Sequence, residues 1–265
     1  MARCQRPISR RAPYTIPRAG PACRPVLTFV LAQTASYEPL FDGQMVAAIA
    51  QSGRFAEARA LSADNIAQLN ERGMVLWTAL EMQPAWLTEM LAGDPMEAER
   101  LARQGCDQLE QLGDRGWLCA QACQLADAVY ELGRYQEARQ WARRGLDLSG
   151  EDDLATQVAG LSLRSRLLAR EGDSITAVAL AQRVEELAAT SDSPIYHGDA
   201  ALNLAEVLSL TGDRAGAEQA VRRAVSCYQP KGVTAYIARA GRLAAAWGLQ
   251  PSASLGSNLR SAPNG

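Results

Sequence analysis

Cysteine is the residue type here with the widest chemistry, because a thiolate can bind a metal ion or act as a nucleophile. Cys119 and Cys123 lie four residues apart, one turn of a helix, and Cys106 precedes them across a short turn. A zinc site needs four suitably spaced ligands, and the single histidine, His197, lies far along the chain. We therefore expect three small buried residues and predict no metal site.

The single histidine is the next candidate, as a general base. Asp199 follows His197 closely enough to orient it, but no nucleophile stands near either residue in the sequence. The sequence therefore predicts no catalytic residue and no bound cofactor. We expect a protein that is not an enzyme.

Charged residues of alternating sign recur at a regular interval. Asp127, Arg166 and Glu206 each stand six residues before a glycine. If the chain is built of repeats, these side chains are neighbours across an inner groove. They form either a charged strip that docks a partner peptide or an ion-pair ladder that fixes the stacking of repeats, which is weak if exposed. Arg170 is expected near the rim of the groove.

Tryptophan is spaced as in helices, which favours core packing for most of the five. Trp86 is the exception, because later repeats carry Ala or Ser at its position. It either fills a wider gap or faces a partner. With nearby polar side chains, the predicted partner-binding groove comprises Gln83, Trp86, Gln124, Asp127, Arg166, Arg170, Asn203 and Glu206.

The elements that must position these residues repeat with a period near 40. Glycines recur at 53, 93, 133, 172 and 212, and each opens a hexapeptide that ends in Ala, as in GRYQEA. Gly suits the left-handed backbone that ends a helix. Asp94, Asp173 and Asp213 can then cap the next helix, and Pro95 fits its first turn. The Ala marks a close crossing of two helices.

Apolar residues three and four apart flank each glycine, so every unit reads as helix, turn, helix and loop. Such a pair buries its apolar face only by stacking on neighbours. The predicted fold is all-α, a right-handed α-solenoid of about five helix-turn-helix repeats. We place the repeats near 39–73, 74–114, 115–151, 152–192 and 193–231, with a capping helix at 233–248.

Composition indicates the character of the terminal segments and of the chain as a whole. Residues 1–38 are rich in Arg and Pro, and residues 249–265 form a polar tail, so we expect disorder in both segments around a repeat domain at 39–248. A formal net charge of −2 argues against direct binding to nucleic acid or a membrane. Six irregularly spaced cysteines fit the reducing cytoplasm.

The GRYQEA run at 133–138 resembles the turn and second-helix start of a tetratricopeptide repeat, and GRFAEA at 53–58 matches it nearly as well. That family has a usual period of 34, so the first helix of each unit here would be longer. The resemblance implies a tetratricopeptide-like array whose groove binds a protein or peptide.

A narrower resemblance covers about residues 75–245, including LADAVYELGRYQEARQWA and LNLAEVLSLTGDRAGAEQAVRRAV. This region is similar to the carboxy-terminal module of bacterial class III adenylate/guanylate cyclase–STAND ATPase fusions and of related ATP-dependent transcriptional regulators. It implies a sensor arm that restrains an ATPase. The chain has no G-x-x-x-x-G-K-[ST] phosphate loop of its own.

Three functions follow from these patterns. The first is a scaffold that binds a protein segment in its groove, in nucleotide signalling or transcriptional regulation. A buried apolar pocket with a few convergent polar groups would instead favour a small-molecule inducer sensor. Exposed apolar surface at 39–60 would favour an inert fragment of a larger regulator. The sequence leaves the oligomeric state open.

Overall fold

The computed structural model describes residues 38–249, and every regular element in that range is a helix. The expectations for both terminal segments fall outside it, apart from Glu38 and Leu249 at its ends. The α-helices are α1 Glu38–Gln51, α2 Phe55–Glu71, α3 Val75–Ala92, α4 Pro95–Leu112, α5 Arg115–Glu131, α6 Tyr135–Leu148, α7 Leu154–Arg170, α8 Ser174–Ala188, α9 Pro194–Thr211, α10 Arg214–Tyr228 and α11 Thr234–Ala246.

The helices from α1 to α10 form five antiparallel pairs, as the 40-residue period predicts. Within the chain from α3 onward, each helix packs against the helices before and after it, and the first helices α3, α5, α7 and α9 also contact one another in sequence. Contacts between successive first helices are what stacks one repeat on the next. The described part of the chain is therefore an α-solenoid.

Glycine and aspartate define the boundaries inside each pair. Gly93 and Gly212 have positive φ values of 89° and 92° and end α3 and α9 in the left-handed conformation. The side chain of Asp94 accepts a hydrogen bond from the Glu97 amide at 3.1 Å, and that of Asp213 from the Gly216 amide at 2.9 Å. Asp173 caps α8 in the same way. The predicted helix ends and caps are confirmed.

Small residues let the two helices of a pair approach closely. The alanine that ends each hexapeptide is fully buried, as at Ala98 and Ala138. A Cβ atom added to Gly145 of α6 would lie 2.5 Å from the Cys123 sulfur and 2.8 Å from the Cys119 carbonyl oxygen. The α5–α6 crossing therefore has no room for a larger residue at position 145.

The predicted capping helix departs from its expected place. After a 3₁₀ turn at Gln229–Lys231, α11 packs on α10 but also reaches α3, four repeats back along the chain. The Arg242 guanidinium donates to the Leu91 carbonyl at 2.7 Å. The Thr234 hydroxyl donates to the Ser52 carbonyl at 2.9 Å. The helix thus covers the first helices, not only the end of the array.

The apolar face of α11 explains this course. Tyr236, Ala240 and Ala244 are buried in one cluster with Leu91 of α3 and Tyr228 of α10. A helix that covered only α10 would leave much of this face in water, at a cost of about 25 cal/mol for each Å² of apolar surface. Along residues 38–249 no helix is both long and apolar enough to cross a membrane.

Candidate functional site

A cavity of about 200 Å³ lies between the first helices and α11. Its walls come from α3, α5, α7 and α9 on one side and from α11 on the other. We call this cavity the inner chamber. Helices from four repeats supply its walls, so its geometry depends on the stacking of the whole array.

Six of the eight predicted groove residues line the inner chamber, and two do not. The six are Trp86, Gln124, Asp127, Arg166, Asn203 and Glu206. Gln83 lies outside it, and its buried amide nitrogen has no hydrogen-bond partner. Arg170 also lies outside and stacks over the rings of Tyr130 and Tyr135. Most of the residues predicted from equivalent repeat positions therefore lie together in the structure.

The three alternating charges form a buried ion-pair ladder. Arg166 donates to the Asp127 carboxylate at 2.6 Å, and its other terminal nitrogen lies 3.7 Å from a Glu206 oxygen. Burial opposes the charge of Arg166, but attraction to Asp127 and Glu206 outweighs it and raises the pKa of the guanidinium. Arg166 pairs with both carboxylates, so the three side chains do not form an open charged strip.

A fourth member of the ladder comes from α11 and was not predicted. Arg239 lies 4.0 Å from an Asp127 oxygen and 3.7 Å from a Glu131 oxygen. Burial raises the pKa of Glu131, and the neighbouring Asp127 charge adds to the effect. A partly buried arginine between two carboxylates therefore ties α11 to α5.

Hydrogen bonds fix the remaining polar side chains of the chamber wall. Tyr130 donates its hydroxyl to Glu206 at 2.5 Å and accepts from Arg170 at 2.6 Å. The Asn203 amide donates to the Ser165 hydroxyl at 3.1 Å. Glu206 and Asn203 are thus held in place from two other helices.

Three polar atoms of residues in the chamber wall are buried and have no hydrogen-bond partner. They are the indole nitrogen of Trp86, the amide oxygen of Gln124 and the Nε nitrogen of Arg166. A buried donor or acceptor without a partner costs about 1–3 kcal/mol. A ligand could pair them only after nearby side chains shift, because the atoms themselves are shielded from solvent.

His197 and Asp199 do not form the acid–base pair considered from the sequence. The His197 ring contacts the Ser191 carbonyl oxygen at 2.8 Å. Asp199 lines the inner chamber and accepts a hydrogen bond from the Tyr228 hydroxyl at 2.6 Å. Burial raises the pKa of the Asp199 carboxyl to about 6.

The cysteines occupy packed positions between helices. Burial raises the pKa of Cys106 and of Cys123 to about 12, so both remain thiols at neutral pH. Cys119 donates to the Gly116 carbonyl at 2.8 Å. In the range 38–249 no three histidine, cysteine or acidic side chains are grouped so that they could hold a metal ion.

Comparisons with known proteins bear on the fold. The structure of BtubC (BKLC) from P. vanneervenii matches with a TM-score of 0.52 and 16% identity, over 76% of this chain and 86% of that one. The Rap protein complexed with Competence and Sporulation Factor matches with a TM-score of 0.51 and 14% identity, over 80% and 78%. YrrB, a TPR protein with an unusual peptide-binding site, matches more loosely, with a TM-score of 0.40 and 14% identity over 88% and 97%.

No family model matches the chain, and no curated protein matches it. The likeness to the solved structures concerns the path of the backbone. Together with the repeated helix–glycine–helix units, it puts the described part of the chain in the class of α-solenoids built from helix pairs.

Proposed function

We propose that this chain is a binding scaffold and that a segment of another protein docks on the inner face of α3, α5, α7 and α9. Solenoids of stacked helices offer a preformed surface, so docking orders little of the scaffold itself. The Rap structure holds Competence and Sporulation Factor, which supports a binding role for the same fold. The partner site comprises the chamber-lining residues, with Gln83 and Arg170 at its margins.

The unpaired polar atoms of the inner face are the observation that carries this proposal. Trp86, Gln124 and Arg166 each bury a donor or acceptor that no protein group satisfies. A peptide backbone supplies both donors and acceptors, so a docked segment would pair them. α11 covers this face, and a docked segment therefore displaces or adjoins it.

Affinity capture with the full chain tests the proposal. The site variant is Trp86→Phe/Gln124→Leu, which removes two unpaired groups and leaves the ion-pair ladder intact. The matched control is Trp117→Phe/Gln136→Leu, at two exposed positions outside the chamber. We expect a partner that wild type and control both retain and that the site variant loses. Identical capture by all three baits would exclude the inner face as the docking surface.

A second candidate function is small-molecule sensing. A cavity of about 200 Å³, with largely apolar walls and a few convergent polar groups, is the feature that favours it. Calorimetry with small ligands on the isolated chain separates this function from protein docking, because it needs no partner.

We also propose a cytoplasmic role in nucleotide signalling or transcriptional regulation. The support is the resemblance of residues 75–245 to the modules of cyclase–ATPase fusions and related regulators. The captured partner tests this assignment. A cyclase, a STAND ATPase or a transcription regulator would support it, and a partner of another class would contradict it.

A further inference from the structure

The charges that line the inner chamber do not balance. Three carboxylates, of Asp127, Asp199 and Glu206, face two guanidinium groups, of Arg166 and Arg239. Arg166 pairs with Asp127 and Glu206, and Arg239 lies nearest Asp127 and Glu131. Among residues 38–249, Asp199 therefore has no ion-pair partner, although it lines the chamber.

Aromatic rings surround this unpaired carboxylate. Tyr228 of α10 donates its hydroxyl to Asp199, and Tyr196 of α9 and Tyr236 of α11 line the chamber beside it. Burial raises the pKa of both chamber tyrosines, and the negative charge of Asp199 adds to the effect. A carboxylate among aromatic faces is an environment that suits an ammonium group.

Two unpaired donors in the chamber wall indicate a second group that a ligand would carry. The Nε nitrogen of Arg166 has no partner, and Arg166 is only 8% exposed. The indole nitrogen of Trp86 is also buried without an acceptor. A ligand that satisfies these groups carries a hydrogen-bond acceptor oxygen.

The size of the chamber limits the ligand. Its volume of about 200 Å³ is somewhat larger than an apolar cavity of about 150 Å³ known to bind benzene. That space suits a small molecule of about the size of one amino acid. Leu202, Leu243 and Trp247 supply apolar surface for a short hydrocarbon part.

We propose that the inner chamber binds a small primary amine that also carries a neutral acceptor oxygen, with the Asp199 carboxylate as the counter-ion of its ammonium group. The site does not depend on the docking of a protein segment, because every contact comes from this chain. It names the ligand class for the sensing function, and it can fail while protein docking stands.

Protonation of Asp199 gives the site a pH dependence. The charged and titratable groups that face this carboxylate are Tyr196, Tyr228, Tyr236, Arg239, Asp127 and Arg166. The ammonium ion needs the ionised carboxylate, whose pKa is about 6. Affinity is therefore highest above that pH and decreases as the pH falls through it.

Isothermal titration calorimetry on the full chain at neutral pH tests the proposal. The probe is L-leucinamide, which has an ammonium group, a carbonyl acceptor and a short hydrocarbon chain. N-acetyl-L-leucinamide is the matched probe without the ammonium group. We expect saturable binding of L-leucinamide at millimolar concentration or below and none of the acetylated probe. Absence of L-leucinamide binding, or equal binding of both probes, overturns the proposal.

The Asp199→Asn variant locates the binding site. Asparagine keeps an acceptor for the Tyr228 hydroxyl, so the variant is expected to fold, which circular dichroism checks. Asp192→Asn is the matched control, because Asp192 is exposed and lies in the loop just before α9. We expect Asp199→Asn to weaken L-leucinamide binding at least about tenfold and Asp192→Asn to leave it unchanged. Unaltered binding by Asp199→Asn overturns the assignment of the counter-ion.

Discussion

At the residue scale, Arg166 holds the charge balance of the inner face, because Asp127, Glu131 and Glu206 all lie within 4 Å of its guanidinium nitrogens. Arg166→Met removes the cation and leaves buried carboxylates without their main partner. We expect the free energy of unfolding to fall by roughly 3–5 kcal/mol, measured by urea denaturation.

The matched control for this substitution is Arg100→Met. Arg100 also contacts a carboxylate, that of Glu97, at 2.6 Å, but both side chains are largely exposed. Such a surface pair contributes about 0–1 kcal/mol. Equal losses in the two variants would contradict a special role for the buried ladder.

Gly145 and Gly241 give a second pair of substitutions with opposite expected effects. In Gly145→Ala the new methyl group meets the Cys119 carbonyl oxygen, which the helix backbone holds in place, so we expect a loss of about 1–3 kcal/mol. At Gly241 no atom lies within 4 Å of an added Cβ. Gly241→Ala should therefore stabilise the fold by about 0.5–1 kcal/mol. Thermal unfolding measures both, and stabilisation by Gly145→Ala would contradict the close crossing.

Asp199 should make the stability depend on pH. Its pKa of about 6 lies above the ordinary value of 3.8, so the native state binds a proton more tightly than the unfolded chain. Its contribution to stability is complete below the lower value and is lost as the pH rises through the higher one. The free energy of unfolding of wild type, minus that of Asp199→Asn, should fall by up to about 3 kcal/mol across this interval. Parallel pH profiles from urea unfolding would contradict the raised pKa.

The sequence places Asp127, Arg166 and Glu206 correctly because equal offsets from the repeat glycines give equal positions in successive helices. It does not reveal Asp199 as a chamber residue, since that role depends on Tyr228 and α11. Arg239 is one of two arginines in the largely apolar helix TAYIARAGRLAAA, and these charges are the signal that could have suggested an ion-pair partner.

At the element scale, local rules predict the helices well. Tyr135–Leu148 and Arg214–Tyr228 each begin just after a repeat glycine, because glycine ends one helix and the next few residues start another. Asp114 and Asp153 cap α5 and α7 at the junctions between repeats. An aspartate before an apolar run is the same sequence signal as at Asp94, Asp173 and Asp213. α9 begins at Pro194, where proline suits the first turn of a helix.

The position of α11 could not be predicted from such rules. Its amphipathic pattern shows that one face is buried but not against which helices. The choice of α3 and α5 depends on where four earlier repeats bring Leu91 and Asp127 in space. That placement is a property of the stacked array.

Deletion of α11 gives a test at this scale. A chain that ends at Gly232 should expose Leu91 and Tyr228, so we expect stronger fluorescence of a bound apolar dye and a lower unfolding midpoint. A chain that ends at Leu249 keeps α11 and serves as the control. Equal dye binding by the two truncated chains would show that α11 does not cover the inner face.

At the scale of the whole molecule, the repeats are joined by more than contacts between neighbours. In a linear array, stability is approximately a sum over repeats and their nearest interfaces. Here hydrogen bonds join Thr234 to Ser52 and Arg242 to Leu91, across 182 and 151 residues of sequence. Loss of an early repeat would therefore also release α11 from its partners.

The contacts of α11 with Ser52 and Leu91 also constrain the number of repeats. A solenoid of independent units can gain or lose one unit in evolution by duplication, since each new repeat needs only a neighbour to stack on. Here an inserted repeat between α6 and α9 would separate Leu91 and Asp127 from Arg242 and Arg239. The position of α11 is therefore compatible with one number of repeats between its two sets of contacts.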